Sequence, residues 1–395
     1  MGVAEKLSGK KILIWGYGRE GQSTRLFLKR CCQPALIEVF EGKREEIDED
    51  KYDLIVKSPG IPMEDDAPKY TSQTELFLEE HRDKVIGITG TKGKSTTSAM
   101  LNHVLTRVNP GKTILLGNIG EPCLNYFDEV DDNTTVVFEM SCHQLAKIKV
   151  SPHVAVFLNL YEEHLDYYGT FEKYFRAKQN ITRFQDEEDY FVVGDQVPPI
   201  ETSAKVIHMP YDTSGEYGLK VFGKHNVSNA NFVIRIATEI LGYDRDEVIA
   251  SLSGFEGLPH RLKFIGEKDG VRYYDDSIST IPDAAIRALE AVPEAHTILL
   301  GGMDRGIDYT ELTDYMLAHP EYQYVCSYDS GRRIYDAVGD MDNVHYMETL
   351  EAAVRYAAEI TPPGKAILLS PASASYGYFK NFEQRGEMFK DYAGV

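Results

Sequence analysis

The sequence predicts an α/β protein of three domains: a Rossmann-like domain at the amino end, a central phosphate-loop domain, and a second Rossmann-like domain at the carboxyl end. Three observations predict it. Short apolar runs alternate with helical patterns along the whole chain, as in parallel sheets. Two glycine-rich turns each follow an apolar run and open a helical pattern. At 395 residues, with domains usually ~100–200 residues long, two or three domains are expected.

The first domain is read as residues 1–82. It opens with a strand at 11–15, a glycine turn and a helix at about 21–30. Strands at 35–40 and 52–57 and a helix at 74–80 follow, with a linker near Arg82. The second domain, 83–257, starts with a strand at 85–89 and a helix at 97–105. It continues through strands at 136–140 and 154–159 and helices at 171–184 and 226–241. The third, 258–395, has strands at 271–275, 297–300, 324–327 and 366–369, with helices at about 282–291 and 348–360.

Composition narrows the function. A formal net charge of −20 argues against a nucleic-acid partner, whose phosphates would be repelled, but leaves room for a local basic pocket. Five cysteines with no C-x-x-C pair are too few for a disulfide scaffold and read as reduced thiols. The first residues hold only a four-residue apolar run, too short for a signal peptide. No run approaches the ~18 apolar residues of a membrane span. A cytoplasmic protein with no membrane partner is expected.

The most informative segment is Gly87-Ile-Thr-Gly90-Thr91-Lys92-Gly93-Lys94-Ser95-Thr96. Glycines let successive N–H groups face one anion, and the helix that follows adds its positive end. Lys94 would reach the β- and γ-phosphates, and the Ser95 hydroxyl would bind Mg²⁺. Strict G-x-x-x-x-G-K-[ST] spacing would put a glycine at 88, where Ile88 stands, so the match is off by one. The bland alternative is a surface turn with an incidental lysine.

A phosphate loop needs partners for its metal. Glu139 ends the apolar run Val136-Val137-Phe138, at the carboxyl end of a strand, where open α/β sheets place their ligands. Mg²⁺ prefers oxygen ligands, which suits Glu139. His164 follows the next strand, as a less usual ligand or as a plain loop histidine. Phe171, Tyr174, Phe175, Lys178 and Ile181 share one helix face. A lysine there either snorkels at the rim or is buried with a role. Burial favours the neutral amine, which can take up CO₂ as a carbamate able to bridge metals.

Gly16-Tyr-Gly18-Arg19-Glu20-Gly21 follows a strand, and Glu41 lies 20 residues further on. Alone, this dinucleotide fingerprint would suggest an NAD-dependent dehydrogenase. A nucleotide-sugar diphosphate satisfies it equally, and the ATP-type loop downstream makes that the better reading.

In the order of these motifs the chain resembles the Mur ligase family over nearly its whole length. The likeness includes Asp53-Leu-Ile-Val-Lys57-Ser58-Pro-Gly60, Gly117-Asn118-Ile-Gly120, Glu139-Met-Ser141-Cys-His143-Gln144 and His225-Asn226-Val-Ser-Asn229. It extends to Gly257-Leu-Pro-His260-Arg261, Asp275-Asp276-Ser277, Gly301-Gly302, and Ser370-Pro-Ala-Ser-Ala-Ser375 through Lys380-Asn-Phe382-Glu-Gln-Arg385-Gly386. The last block points to the branch that joins glutamate to UDP-N-acetylmuramoyl-L-alanine in peptidoglycan precursor synthesis.

The resemblance implies ATP and Mg²⁺ as cofactors, an acyl-phosphate ligase reaction, and D-glutamate as acceptor. L-glutamate and a folylpolyglutamate-synthase-like reaction are the alternatives, and a silent nucleotide-binding regulator is a further one. It implies that Gly18, Arg19, Glu20, Ser58 and Asn118 hold the UDP part, with Glu41 and Lys43 bordering the uracil. Residues 90–96 would hold ATP phosphates, Asn226 and Asn229 would face the adenosine, Arg261 would contact the γ-phosphate, and Asp276 the ribose or the metal's water shell. Ser95, Glu139, His164 and carbamylated Lys178 would surround the metals, while Arg305, Ser375 and Phe382 would face the amino acid.

The chain departs from the family pattern in four places. Ile278 stands where an acceptor-binding lysine is expected, and Arg305 replaces a second one. His143 replaces an aromatic. The stretch from Lys178 to His225 is short, which suggests a trimmed peripheral strand segment.

Overall fold

The computed structural model describes residues 2–63, 67–339 and 341–395. Strands β1 (Lys11–Trp15), β2 (Leu36–Phe40), β3 (Leu54–Lys57) and β4 (Tyr70–Thr71) form a parallel sheet in the order β2-β1-β3-β4. Strands β5 (Val85–Thr89), β6 (Lys112–Gly117), β7 (Thr134–Glu139), β8 (Val154–Phe157), β9 (Tyr190–Gly194) and β10 (Lys205–Met209) form a second parallel sheet, ordered β10-β9-β8-β5-β7-β6.

The third sheet contains β11 (Lys263–Lys268), β12 (Val271–Asp275), β13 (Ala295–Leu300), β14 (Gln323–Ser327), β15 (Val344–Met347) and β16 (Ala366–Leu369). Its order is β11-β12-β16-β13-β14-β15. It is parallel except for β11, which pairs with β12 through a two-residue turn. Asp269 (φ 53) and Gly270 (φ 79) supply the two positive φ angles such a hairpin needs.

The chain divides into two compact units. The first runs through Leu219 and includes Lys224–Phe255, so it carries two sheets; the second comprises Lys220–Gly223 and Glu256–Val395. Inside the first unit one apolar core runs without a break from sheet to sheet. Ile12 and Ile14 of β1 and Phe27 share it with Phe77, Phe127 and Phe138. Phe27 and Phe127 meet with ring centres 4.5 Å apart and planes tilted by 52°, which packs the helix Arg19–Cys31 of the first sheet against the segment Cys123–Glu129 of the second. In the second unit, separate cores cover the two faces of the third sheet.

The helices extend past the sequence reading. Arg19–Cys31 replaces 21–30 and Lys94–Val108 replaces 97–105. The helix expected at 226–241 is His225–Arg235 continued by a π-helical turn, Ile236–Ile240. Strands β4, β6, β9, β10, β11 and β15 were not foreseen, and all but β9 lie at sheet edges. Edge strands tolerate polar residues, as in Lys205-Val-Ile-His-Met209, so they lack a clean apolar run. Two of them, β9 and β10, lie in the short stretch between Lys178 and His225.

Candidate functional site

The carboxyl ends of β5, β7 and β8 bring the central motifs to one edge. After β5 the chain turns through Gly90 (φ 154) and Gly93 (φ 82), angles that residues with a side chain rarely adopt. Gly93 is the N-cap of Lys94–Val108, whose first turn has no side-chain cap. N–H groups at such an uncapped helix start suit an anion. A Cβ on Gly93 would lie 2.8 Å from Asn229 Oδ1, so the helix carrying Asn226 and Asn229 packs directly on the loop. Asn229 Nδ2 donates to Asn226 Oδ1 at 3.0 Å, and both residues are buried.

Lys94 Nζ donates to Gly90 O and Thr91 O, both at 2.9 Å. Lys178 does not snorkel. It is 1% exposed, and its Nζ donates to the same Gly90 O at 2.8 Å and to Thr89 Oγ1 at 3.4 Å. Two amines thus converge on one carbonyl. Burial, and next the charge of Lys94, push Lys178 down to about 7. Burial also lowers Lys94, opposed by the carboxylates of Glu139 and Glu163.

Glu139 is fully buried at the end of β7. Its Oε1 accepts from Asn118 Nδ2 at 3.0 Å, while its Oε2 has no hydrogen-bond partner. An unpaired buried carboxylate oxygen beside a phosphate loop fits a cation. His164 is exposed, in a left-handed conformation (φ 56), with its ring centre 5.2 Å from that of His143 and 6.0 Å from that of Tyr174. The segment carrying it is tied to the loop: Tyr161 N donates to Thr91 Oγ1 at 2.9 Å, and Lys92 pairs with Glu163 at 2.9 Å. Among the described residues no three His, Cys, Asp or Glu side chains converge as a self-sufficient cage. Mg²⁺ commonly takes only one or two protein carboxylates and completes its shell with water and substrate phosphates.

A cavity of about 620 Å³ lies at the carboxyl end of the first sheet. Gly18, Arg19, Glu20, Glu41, Ser58 and Asn118 line it, so these six come together as expected. Lys43 is not among its lining residues; it precedes the 3-10 helix Arg44–Glu46.

In the second unit, Arg261 is exposed between two strained residues, His260 (φ 59) and Leu262 (φ 42). Asp276 braces that turn. Its carboxylate accepts from Leu262 N (3.0 Å), Ser279 Oγ (2.5 Å) and Ser370 Oγ (2.7 Å), and burial raises it to about 6. Arg305 is exposed, Ser375 is buried, and the backbone carbonyl of Phe382 accepts from Ser277 Oγ at 2.8 Å.

Three groups had no role in the sequence reading. Arg385, 1% exposed, donates to Ser277 Oγ (3.0 Å), Ser277 O (2.7 Å) and Ser373 O (3.0 Å), locking together the two loops that carry Ile278 and Ser375. His260 Nδ1 meets Asp275 Oδ2 at 2.6 Å. Asn159 cradles Lys92, accepting from its N–H at 2.9 Å and donating to its carbonyl at 3.1 Å. Arg385 and His260 were legible as members of motifs the chain shares with the family. Nothing in local spacing marks Asn159.

Fold and site define a three-sheet α/β protein with a phosphate loop on its central sheet. Residues 88–208 match the Mur ligase middle domain, and residues 260–373 match the Mur ligase glutamate ligase domain. A UDP-N-acetylmuramoyl-L-alanine–L-glutamate ligase of Salinispora tropica is 32% identical, over 97% of each chain. A UDP-N-acetylmuramoylalanine–D-glutamate ligase of Streptococcus suis is 33% identical, over 98% of each. Among solved structures, UDP-N-acetylmuramate-alanine ligase of Thermotoga maritima superposes with a TM-score of 0.61 at 20% identity, covering 97% of this chain and 98% of that one. A MurF ligase of the same organism, solved with ADP, gives 0.60 at 17% identity, over 99% and 96%. The chain belongs to the Mur ligase family.

Proposed function

We propose that the protein is an ATP-dependent ligase that joins glutamate to UDP-N-acetylmuramoyl-L-alanine. The observation that carries this reading is the pairing of two sites in one unit: a phosphate loop beside Glu139, whose Oε2 is orphaned, and a cavity of about 620 Å³ whose lining includes Asn118, the residue that fixes Glu139 Oε1. One site suits ATP, and the other a nucleotide-sugar diphosphate. NAD would use the cavity but leave the phosphate loop without a task.

The reaction has two steps. The precursor's carboxylate attacks the γ-phosphate of ATP, giving an acyl phosphate and ADP. The glutamate amine then attacks the acyl carbon, and phosphate leaves. Lys94 would follow the charge that moves onto the transferring phosphoryl oxygens, with Arg261 as a further cation. Ser95, Glu139 and His164 would hold Mg²⁺, which neutralises phosphate charge. Lys178, with its proton affinity lowered to about 7, holds enough neutral amine to form a carbamate with CO₂. The carbamate would turn a cation beside Lys94 into an anion beside the metals.

D-glutamate is the preferred acceptor, because the block from Ser375 to Phe382 is retained. L-glutamate is the second reading, favoured by Ile278 and by the L-glutamate ligases among the relatives. The test is phosphate release from ATP with UDP-N-acetylmuramoyl-L-alanine, comparing D-Glu, L-Glu, D-Asp and neutral amino acids. No precursor-dependent release with either glutamate would overturn the proposal.

A further inference from the structure

The helix Arg19–Cys31 starts at the nucleotide-sugar cavity, and its first two residues each reach the second sheet. Arg19 Nη2 donates to Gly120 O at 2.8 Å, gripping the loop after β6. Glu20 Oε1 accepts from Gln144 Nε2 at 2.9 Å, gripping the loop after β7. Those two loops meet on Glu139. Asn118 N donates to Glu139 O and Asn118 Nδ2 to Glu139 Oε1, both at 3.0 Å.

Gln144 is the pivot of the second link. It is 4% exposed, and both ends of its amide are used. While Nε2 holds Glu20, Oε1 accepts from Ser141 N at 3.0 Å and Ser141 Oγ at 3.1 Å. Ser141 follows Met140, whose N–H donates to Ile88 O at 2.9 Å and whose carbonyl accepts from Thr89 Oγ1 at 2.8 Å. Thr89 ends β5, next to the phosphate loop, and its hydroxyl also receives Lys178 Nζ. Part-buried bonds from Glu20 through Gln144 to Ser141, the peptide link to Met140, and the buried Met140–Thr89 bond therefore connect a carboxylate in the cavity wall to the backbone beside Glu139 and Gly90. Burial raises the Glu20 carboxyl, and the amides of Gln73 and Gln144 oppose that rise.

We propose that Gln144 is a positioning residue that couples occupancy of the nucleotide-sugar cavity to the phosphate loop, by tying Glu20 to Ser141 across the two sheets. This rests on the reading that a UDP-sugar fills the cavity and ATP the loop. A ligand that orders residues 16–21 fixes Glu20, which fixes the residues after Glu139, and by linkage a nucleotide on the loop tightens the sugar nucleotide by the same factor.

The test measures binding rather than turnover. Calorimetry gives the dissociation constant of a non-hydrolysable ATP analogue with Mg²⁺, with and without saturating UDP-N-acetylmuramoyl-L-alanine. The wild type should show at least a fivefold tightening. Gln144→Met, similar in size but without the amide, should reduce it to under twofold while each ligand alone binds within about threefold of wild type. Gln144→Asn, whose amide is one methylene shorter, should lose the coupling in the same way, and serves if the methionine variant does not fold. Tight precursor binding with equal coupling in wild type and Gln144→Asn overturns the inference alone. A wild type that does not bind the precursor overturns the cavity assignment and the coupling with it.

Discussion

Replacing Lys178 by methionine should make the free protein more stable while abolishing its activity. The folded protein holds this amine at about 7 instead of 10.5, mainly through burial, which makes folding about 5 kcal/mol less favourable at and below neutral pH. Methionine removes that penalty and keeps a similar volume. Against this stands the lost bond to Gly90 O, about 1 kcal/mol. That carbonyl is not orphaned, because Lys94 Nζ still donates to it at 2.9 Å. The contact of Nζ with the Tyr174 ring, 5.0 Å from its centre, costs about 1 kcal/mol more. Roughly 2–3 kcal/mol of stabilisation remains, in line with other replacements of buried charge by apolar side chains. For a unit of this size that raises Tm by about 5–8 °C. The sign of the pH dependence follows from the same numbers. The unfolded lysine keeps its proton up to about 10.5, while the folded one releases it near 7. The unfolded state therefore binds more protons between those values, and wild-type stability must climb with pH across that window. The methionine variant lacks this climb. Scanning calorimetry in CO₂-free buffer from pH 6.5 to 9.5 reads both effects. A variant Tm equal to or below wild type at pH 7, or equal pH slopes for the two proteins, would refute the burial argument.

Three further outcomes are expected. Gly93→Ala places a side chain at φ 82, 2.8 Å from Asn229 Oδ1, so it should cost roughly 1–3 kcal/mol of stability and weaken nucleotide binding at least tenfold; unchanged nucleotide affinity by calorimetry would show that the loop tolerates a Cβ. His260, beside Asp275 at 2.6 Å, is raised above 6.5, so its contribution to stability is full below 6.5 and is lost as pH rises through the higher folded value. Proton NMR titration should place it above 6.5, with Asp275→Asn bringing it down; no response to that change removes the pairing as the cause. In the acceptor assay, Arg305→Ala should raise KM for glutamate about 10–100-fold, the loss expected when one charge-assisted hydrogen bond goes, and Ile278→Lys should lower it; an Arg305→Ala enzyme with an unchanged KM removes Arg305 from the pocket.

Much of the fold was legible because the strands at the sheet centres are unbroken apolar runs. Val85–Thr89 and Ala366–Leu369 fall at the expected residues, since a strand covered on both faces is apolar along nearly its whole length; Val271–Asp275 also falls there, although Arg272 within it is exposed. The edge strands that escaped detection carry lysine, threonine or histidine, as β6 and β15 do, because an edge strand has solvent along one side; β9, an apolar interior strand, does not follow this rule. The first and second sheets also share one core inside a single compact unit. That continuity depends on Phe27 meeting Phe127, a pairing between residues distant in the chain that local periodicity does not encode.

The site shows the same division. The glycine turns and Glu139 could be placed from sequence because their chemistry depends on position relative to a strand end. Lys178 could be assigned to an apolar helix face, but a face shared with Tyr174 and Ile181 does not say what lies opposite it. What lies opposite is Gly90 O, already bonded by Lys94. The conflict between two amines on one carbonyl arises only when the helix Phe171–Arg183 packs against the phosphate loop. Each lysine alone would be a satisfied donor. Together they leave Lys178 as the more buried member, with its proton weakly held. A group in that state is ill suited to be a permanent cation, which is why its proposed role is as the amine that accepts CO₂.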